Sequence, residues 1–347
     1  MASVGIPRAL LYYQYYPMWK TFFEELGASV RVSTPTTRAT LSAGIERLVA
    51  ETCLPVKVYC GHVLELAAQV DYVFVPAVRS LEPKVLNCSK FLGLPDLVRA
   101  VAPEAPPLLD PEIDLDQKSS EDRFRLPPTS EISFKARVIF YQTVYQVGRR
   151  FTSNPLRIRA AAENAWRVHQ DYACLMQTGL TPPEAIARWE GDRCPSNASR
   201  VATAREEHTI ALIGHPYNLY DTYITHNLVA KLRGLGVRIL TSEMVTPEEL
   251  RQGIVDLAGQ PYWTYEDEVV GAAGYYIRDG RVDGLISVDS FGCGPDSTLV
   301  DVVRRAAREV RRPFMSLVID EHTGEAGLVT RLEAFVDMLA RRKGRMK

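Results

Sequence analysis

No run of apolar residues in this chain is long enough to cross a bilayer, which excludes a membrane-spanning helix. Charge of one sign is also missing. The chain carries 41 Lys and Arg against 42 Asp and Glu, a net charge of −1, so nothing draws the whole surface toward nucleic acid or anionic lipid. The N-terminus lacks a basic region leading into an apolar core and a small-residue cleavage site, so a cytoplasmic setting is expected. There is no Walker motif and no G-x-G-x-x-G fingerprint, which argues against ATP hydrolysis or dinucleotide binding by this chain. Cysteine is sparse, with 6 in 347 residues and no C-x-x-C array. In a reducing compartment these read as packing thiols, a catalytic thiol or metal ligands, not as disulfides.

The hydrophobic share is 46% and the charged share 24%, ordinary globular values in a chain long enough for two domains. Short apolar strands alternate with helical patterns, which predicts an α/β fold. Two doubly wound, parallel-sheet domains of Rossmann or flavodoxin type are expected, with a helical insert between them. Residues 1–110 read as the first domain, 111–204 as a connector and helical segment, and 205–347 as the second. In the first, strands are expected at Val4–Pro7, Ala28–Ser33 and Tyr72–Val75, and helices at Tyr16–Leu26, Ile45–Val49, Val56–Ala68 and Leu92–Val101. The proline-rich stretch Pro103–Pro128 reads as a connector, Glu131–Leu180 as mostly helical, and Thr181–Arg200 as a short helix and loop. In the last part, strands are expected at Thr209–Ile213, Val237–Leu240, Leu285–Val288 and Phe314–Ile319. Helices are expected at Thr222–Leu235, after Thr246, at Ser297–Val310 and at Gly327–Leu339. The basic run Arg341, Arg342, Lys343, Arg345 and Lys347 reads as a solvated helix end.

Three cysteines fall at loop-to-helix junctions. Cys53 lies in Glu51-Thr52-Cys53-Leu54-Pro55, Cys88 in Asn87-Cys88-Ser89, and Cys293 in Phe291-Gly292-Cys293-Gly294-Pro295-Asp296. Helix N-termini stabilise thiolate, and their N–H groups can hydrogen-bond cluster sulfides. Gly292 and Gly294 let the backbone approach a bulky inorganic core. This pattern suits an iron–sulfur cluster, and simple packing is the alternative. Cys174 reads as packing in a helix. Cys194 sits in a polar loop and fits either role. Cys60 follows Cys53 by about two helical turns, and a zinc site built on Cys60 and His62 is a further alternative. His215, in Gly214-His215-Pro216-Tyr217-Asn218, is a candidate proton donor or ligand. Arg8, in Gly5-Ile6-Pro7-Arg8, is a candidate for binding a carboxylate or phosphate. Asp320-Glu321-His322 offers paired carboxylates or a solvated loop.

Taken together, several motifs resemble the 2-hydroxyacyl-CoA dehydratase D-component superfamily, and in particular its stand-alone acyl-CoA dehydratase activase-related proteins. They are Val4–Leu10, Tyr16–Trp19, Phe22–Gly27, Glu51–Lys57, Gly61-His62, Asn87-Cys88, Gly214–Asn218, Phe291–Asp296 and Glu325–Arg331. About Pro103–Arg205 carries little of the resemblance. The resemblance implies a [4Fe-4S] cluster held by Cys53, Cys88 and Cys293, with a double-cubane [8Fe-9S] cluster as the alternative. Cys60, Cys174 and Cys194 are then the remaining thiols for the larger cluster. It implies oxygen sensitivity and a partner, an ATP-dependent activase that is itself an iron–sulfur protein and supplies low-potential electrons. The substrate implied is a small molecule, such as an acyl-CoA, that is reduced or dehydrated; related proteins form dimers, so a homodimer is expected. A non-catalytic cluster carrier serving a dehydratase or reductase is the alternative function. No ATPase segment accompanies these motifs.

Overall fold

The structure, a computed structural model, describes residues 1–82, 85–114, 134–191, 207–260 and 263–345. The chain divides into two compact units. The first comprises Met1–Ala50, Val56–Tyr172 and Tyr262–Tyr265; the second comprises Glu51–Pro55, Ala173–Pro261 and Glu266–Lys347.

The first unit opens with β1 (Ser3–Ile6), α1 (Tyr12–Glu25), β2 (Ser29–Val32), α2 (Arg38–Ile45), α3 (Leu54–Leu66) and β3 (Tyr72–Phe74). It continues through β4 (Ala77–Glu82), β5 (Val85–Leu86), α4 (Ser89–Leu92), α5 (Leu94–Val101), β6 (Leu108–Leu109) and β7 (Glu112–Asp114). The main sheet is parallel, in the order β2-β1-β3-β6. Beside it, β5-β4-β7 form a small mixed sheet. The core is aromatic: Trp19 and Phe23 of α1 meet Phe74 of β3 at ring separations of 4.5 and 5.3 Å. Helices α6 (Phe134–Gly148) and α7 (Pro155–Gln177) follow, the last residues of α7 and all of α8 (Pro182–Trp189) belonging to the second unit.

The second unit holds β8 (His208–Ile213), α9 (Pro216–Leu219), α10 (Leu228–Gly234), β9 (Val237–Thr241), α11 (Pro247–Ala258), α12 (Thr264–Arg278), β10 (Gly284–Ser290), α13 (Gly294–Glu309), β11 (Phe314–Ile319) and α14 (Glu325–Arg345). Its sheet, also parallel, runs β11-β10-β8-β9. Read from the other edge, both main sheets place their strands in one chain order: second, first, third, fourth. This is the flavodoxin-like, doubly wound arrangement, and it puts a topological switch point at the carboxyl ends of β1 and β3 in one unit and of β8 and β10 in the other. Every residue of β10 is buried, as expected of a central parallel strand covered on both faces. Leu285 of β10 shares one core cluster with Val269, Ala272, Ala273 and Tyr276 of α12 and with Val303 and Ala307 of α13.

Two helix pairs depend on glycine. A Cβ at Gly61 would overlap the Thr40 carbonyl oxygen, and one at Gly44 would overlap that of Lys57, so α2 and α3 meet backbone to backbone. Gly253, Gly271 and Gly274 do the same for α11 and α12. Gly61→Ala is therefore expected to cost about 3 kcal/mol, because the obstacle is a carbonyl and not a movable side chain. Gly234→Ala, with open space at the end of α10, is the control and should leave the urea midpoint unchanged or raised.

Several expected elements differ from those observed. The stretch expected as a helix at Ile45–Val49 is helical earlier, at Arg38–Ile45, because Thr37 and Thr40 form a capping box that starts the helix there. The expected helix Thr222–Leu235 shrinks to Leu228–Gly234. The Asp221 carboxylate accepts the Tyr223 and Ile224 N–H groups, and His226 and Asn227 take positive φ, so the chain turns before the helix begins. The connector Pro103–Pro128 contains two strands, and Leu108 and Leu109 pair with Val73 and Phe74 as the fourth strand of the first sheet. Helix α12 and the small mixed sheet had no counterpart in the sequence reading. Cys194 and the loop expected at its position lie outside the described residues.

Candidate functional site

Each of the three singled-out cysteines directly precedes a helix. Cys53 sits before Leu54, the first residue of α3. Cys88 is the N-cap residue of α4, and its N–H donates to Asn87 Oδ1 at 2.9 Å. Cys293 is the N-cap residue of α13, a helix of 16 residues. All three are half-buried and none forms a disulfide. Strands β4 and β5 lie between β3 and Cys88.

Cys53 travels with Glu51–Pro55 in the second unit, the unit of Cys293. The two loops approach each other there: a Cβ on Gly292 would lie 3.5 Å from the Glu51 carbonyl oxygen. Gly292 has φ +82°, a conformation costly for any other residue, so the turn that presents Cys293 needs glycine. Cys88 belongs to the first unit.

The other described thiols are unlike these. Cys60 is completely buried within the first unit, where burial pushes its thiol up to about 12 and makes it inert. It does not share a helical face with Cys53, which lies outside α3. Its neighbour His62 is also completely buried, with Nε2 2.9 Å from Thr36 Oγ1. Burial, with help from the nearby Arg8 guanidinium, lowers the His62 pKa to about 3, so the ring is neutral. Cys174 is exposed on α7 rather than packed. Among the described residues no three His, Cys, Asp or Glu side chains converge as a metal site, and this applies to Cys53, Cys88 and Cys293 as it does to Cys60 with His62 and to the Asp320–His322 loop. Asp320 is occupied in its own turn, accepting from the His322 N–H and the Thr323 hydroxyl.

The switch point of the second unit carries a buried polar cluster. His215 follows β8 and is the N-cap residue of α9, with its ring stacked on Tyr217 at 5.0 Å. Its Nε2 lies 3.0 Å from Asp296 Oδ1, and both residues are buried. Asp296, in the first turn of α13, also accepts a hydrogen bond from the Cys293 side chain. Burial alone would raise the Asp296 pKa, but the His215 charge, with hydrogen bonds from His215 and Cys293, holds it below the usual carboxylate range. Asp289, on β10, goes the other way. Burial, reinforced by the Asp296 carboxylate, pushes it up to about 7 despite the Ser287 hydroxyl, which donates to it at 3.0 Å. Ser290 Oγ donates to Asn218 Oδ1 at 2.7 Å. The sequence reading found His215 and Cys293 but missed Asp289, and it quoted Asp296 only as part of a motif. The signal was present in Asp296, an acid in the first turn after a candidate ligand.

Arg8 follows β1 at the switch point of the first unit. Its backbone N–H donates to Ser33 Oγ at 2.8 Å and its Nε to the Ser33 carbonyl at 3.2 Å.

These features define a two-unit, doubly wound α/β protein with half-buried thiols set at helix starts. The chain belongs to the family described as the CoA enzyme activase uncharacterised domain, which matches residues 3–245. No curated protein matches the chain. No helix among the described residues is long and apolar enough to cross a membrane.

Proposed function

We propose that this chain is an iron–sulfur protein of the 2-hydroxyacyl-CoA dehydratase D-component type, taking low-potential electrons from an ATP-dependent activase to reduce or dehydrate a small substrate such as an acyl-CoA. Membership of a CoA enzyme activase-related family supports the setting. The observation that carries the reading is the common placement of Cys53, Cys88 and Cys293, each half-buried and immediately ahead of a helix. Thiolate sulfur is the donor such clusters take, and helix-start N–H groups favour it. The residues thus fit a [4Fe-4S] cluster in donor chemistry, and these three would hold it. When bound, the cluster supplies one-electron chemistry, with one iron not held by cysteine.

The chain's own residues do the rest. Cys293 would ligate as thiolate, and Asp296 accepts a hydrogen bond from that side chain and so orients it. Asp296 also fixes the orientation of the His215 ring, whose Nε2 lies 3.0 Å from Asp296 Oδ1. Strand β10, which carries Asp289 and Ser290, is buried along its whole length.

The test is iron and acid-labile sulfide per chain on anaerobically purified protein, with a reduced-state EPR spectrum. About four irons are expected; about eight would indicate the double-cubane cluster. Absence of iron after attempted reconstitution would overturn the reading.

A further inference from the structure

The sheet of the second unit ends on an unprotected edge. Strand β11 (Phe314–Ile319) pairs with β10 along its whole length and has no strand on its other side among the described residues. A bare edge invites pairing with another chain, and proteins ordinarily blunt such edges with charge, proline or short length. The other edges of the two main sheets follow that rule. Strand β2 carries the exposed Arg31, β9 carries the exposed Arg238, and β6 has only 2 residues. Strand β11 reads Phe-Met-Ser-Leu-Val-Ile, with no charge and no proline in its 6 residues, and its Val318 is 48% exposed.

Register fixes which backbone groups face outward. The Leu285 N–H donates to the Pro313 carbonyl and the Phe291 N–H to the Ile319 carbonyl, both at 2.9 Å. Backbone groups of successive strand residues point to opposite sides. Pro313, Met315, Leu317 and Ile319 therefore turn toward β10, while Phe314, Ser316 and Val318 turn their N–H and C=O groups away from it. No backbone group among the described residues pairs with those three. The strand is also complementary to itself. Antiparallel pairing of two copies about Ser316 sets Ser316 opposite Ser316 and Phe314 opposite Val318. Only this centre pairs all three outward residues with one another, because the Arg312 N–H is spent on the Ala307 carbonyl and the Asp320 N–H on Thr323 Oγ1. The same pairing brings Arg311, which is exposed and has no ion pair among the described residues, to the end that carries Glu321 of the partner subunit.

We infer that β11 is a homodimer interface, in which two copies of this chain pair their β11 strands antiparallel about a twofold axis at Ser316 and so join their sheets into one. A twofold contact requires a patch that fits itself. An apolar strand with a cation just before it and an acid just after it meets that requirement, whereas a foreign strand would call for no such match of its two ends. Backbone hydrogen bonds supply the affinity of an added strand, and side-chain pairs across it set the register. The exposed Val318 is then covered by Phe314 of the partner subunit, and Arg311 gains an acid. Nothing in this interface depends on an iron–sulfur cluster.

The test is sedimentation velocity of the full chain from about 1 to about 100 µM. Wild type is expected to sediment as a dimer in that range. Val318→Lys puts a charge on the edge and should weaken association by about 10-fold or more with an unchanged far-UV CD spectrum, since the side chain is already 48% exposed. Arg311→Glu sets like charges together at both ends of the paired strands and should weaken association by about 5-fold. Adding Glu321→Arg to that variant should restore most of the loss. A wild-type monomer at about 100 µM would overturn the inference and leave the edge to a strand of another protein. A dimer that neither single variant weakens would overturn it by placing the interface elsewhere, and a double variant no tighter than Arg311→Glu would overturn the register. The readout is mass and not iron, so failure here leaves the cluster proposal standing, and the reverse.

Discussion

Cys293→Ser is expected to reduce iron from about four per chain to below one, while Cys174→Ala leaves it unchanged. The asymmetry follows from where the thiols sit. Cys293 caps α13, beside the loop that carries Cys53, on a turn that Gly292 makes possible. Serine keeps the size and the hydrogen-bonding capacity of the side chain but not the soft, low-pKa sulfur, so it tests ligation more than packing. Cys174 is exposed on α7 and gains nothing from a helix N-terminus. Cys53→Ser and Cys88→Ser should follow Cys293→Ser. Cys60→Ala is the informative control for stability. Its thiol is sealed in the first unit, so the variant should lose about 1 kcal/mol of stability yet keep its iron. Iron and sulfide analysis of the five variants, each checked by far-UV CD, decides the matter. Equal loss in Cys293→Ser and Cys174→Ala would remove the three-ligand assignment and favour the larger cluster.

What the sequence made legible divides along physical lines. Phe314–Ile319 is observed at the boundaries expected, because an apolar run broken only by Ser316 and bounded by Pro313 and Asp320 has no competing reading. The start of α11 was equally clear, since Thr246, Pro247 and Glu249 together form a capping box with proline in the first turn. Helix α12 was missed because Gly271 and Gly274 look like breakers. Their role is to admit α11 to backbone contact, a tertiary demand that overrides propensity. The pairing of Leu108 and Leu109 with β3 was hidden by flanking prolines, and no local pattern marks a two-residue edge strand. The site divides in the same way. Helix-start cysteines are local and could be read directly. The His215–Asp296 contact spans 81 positions and depends on β8 and β10 lying side by side, which only the sheet order provides. The burial that lifts Asp289 is a property of the folded layers and leaves no local trace in the sequence.

That burial leads to the second large effect. Asp289→Asn is expected to stabilise the protein progressively as pH rises from about 4 to about 7, by up to about 4 kcal/mol at the upper end. The wild-type carboxyl is raised from 3.8 to about 7, by burial first and by the Asp296 charge second. Between those two values the folded state holds a proton that the unfolded chain has released. Raising the pH therefore favours unfolding, and this contribution is fully present below the unfolded pKa and lost as pH passes the folded one. Asparagine carries no charge to desolvate, and its amide oxygen can still accept from Ser287, which donates to Asp289 at 3.0 Å. Asp296 has the opposite dependence. Its depressed pKa gives stability that is present above its unfolded value and lost on further acidification, so its slope lies on the acid side of the window. The difference between variant and wild-type urea midpoints across about pH 4 to 8 thus reports Asp289, and a rising difference that levels off near neutrality is the expected curve. Parallel curves would mean that Asp289 ionises normally in the folded protein, and the buried acid cluster would then hold one fewer proton at neutral pH than its geometry implies.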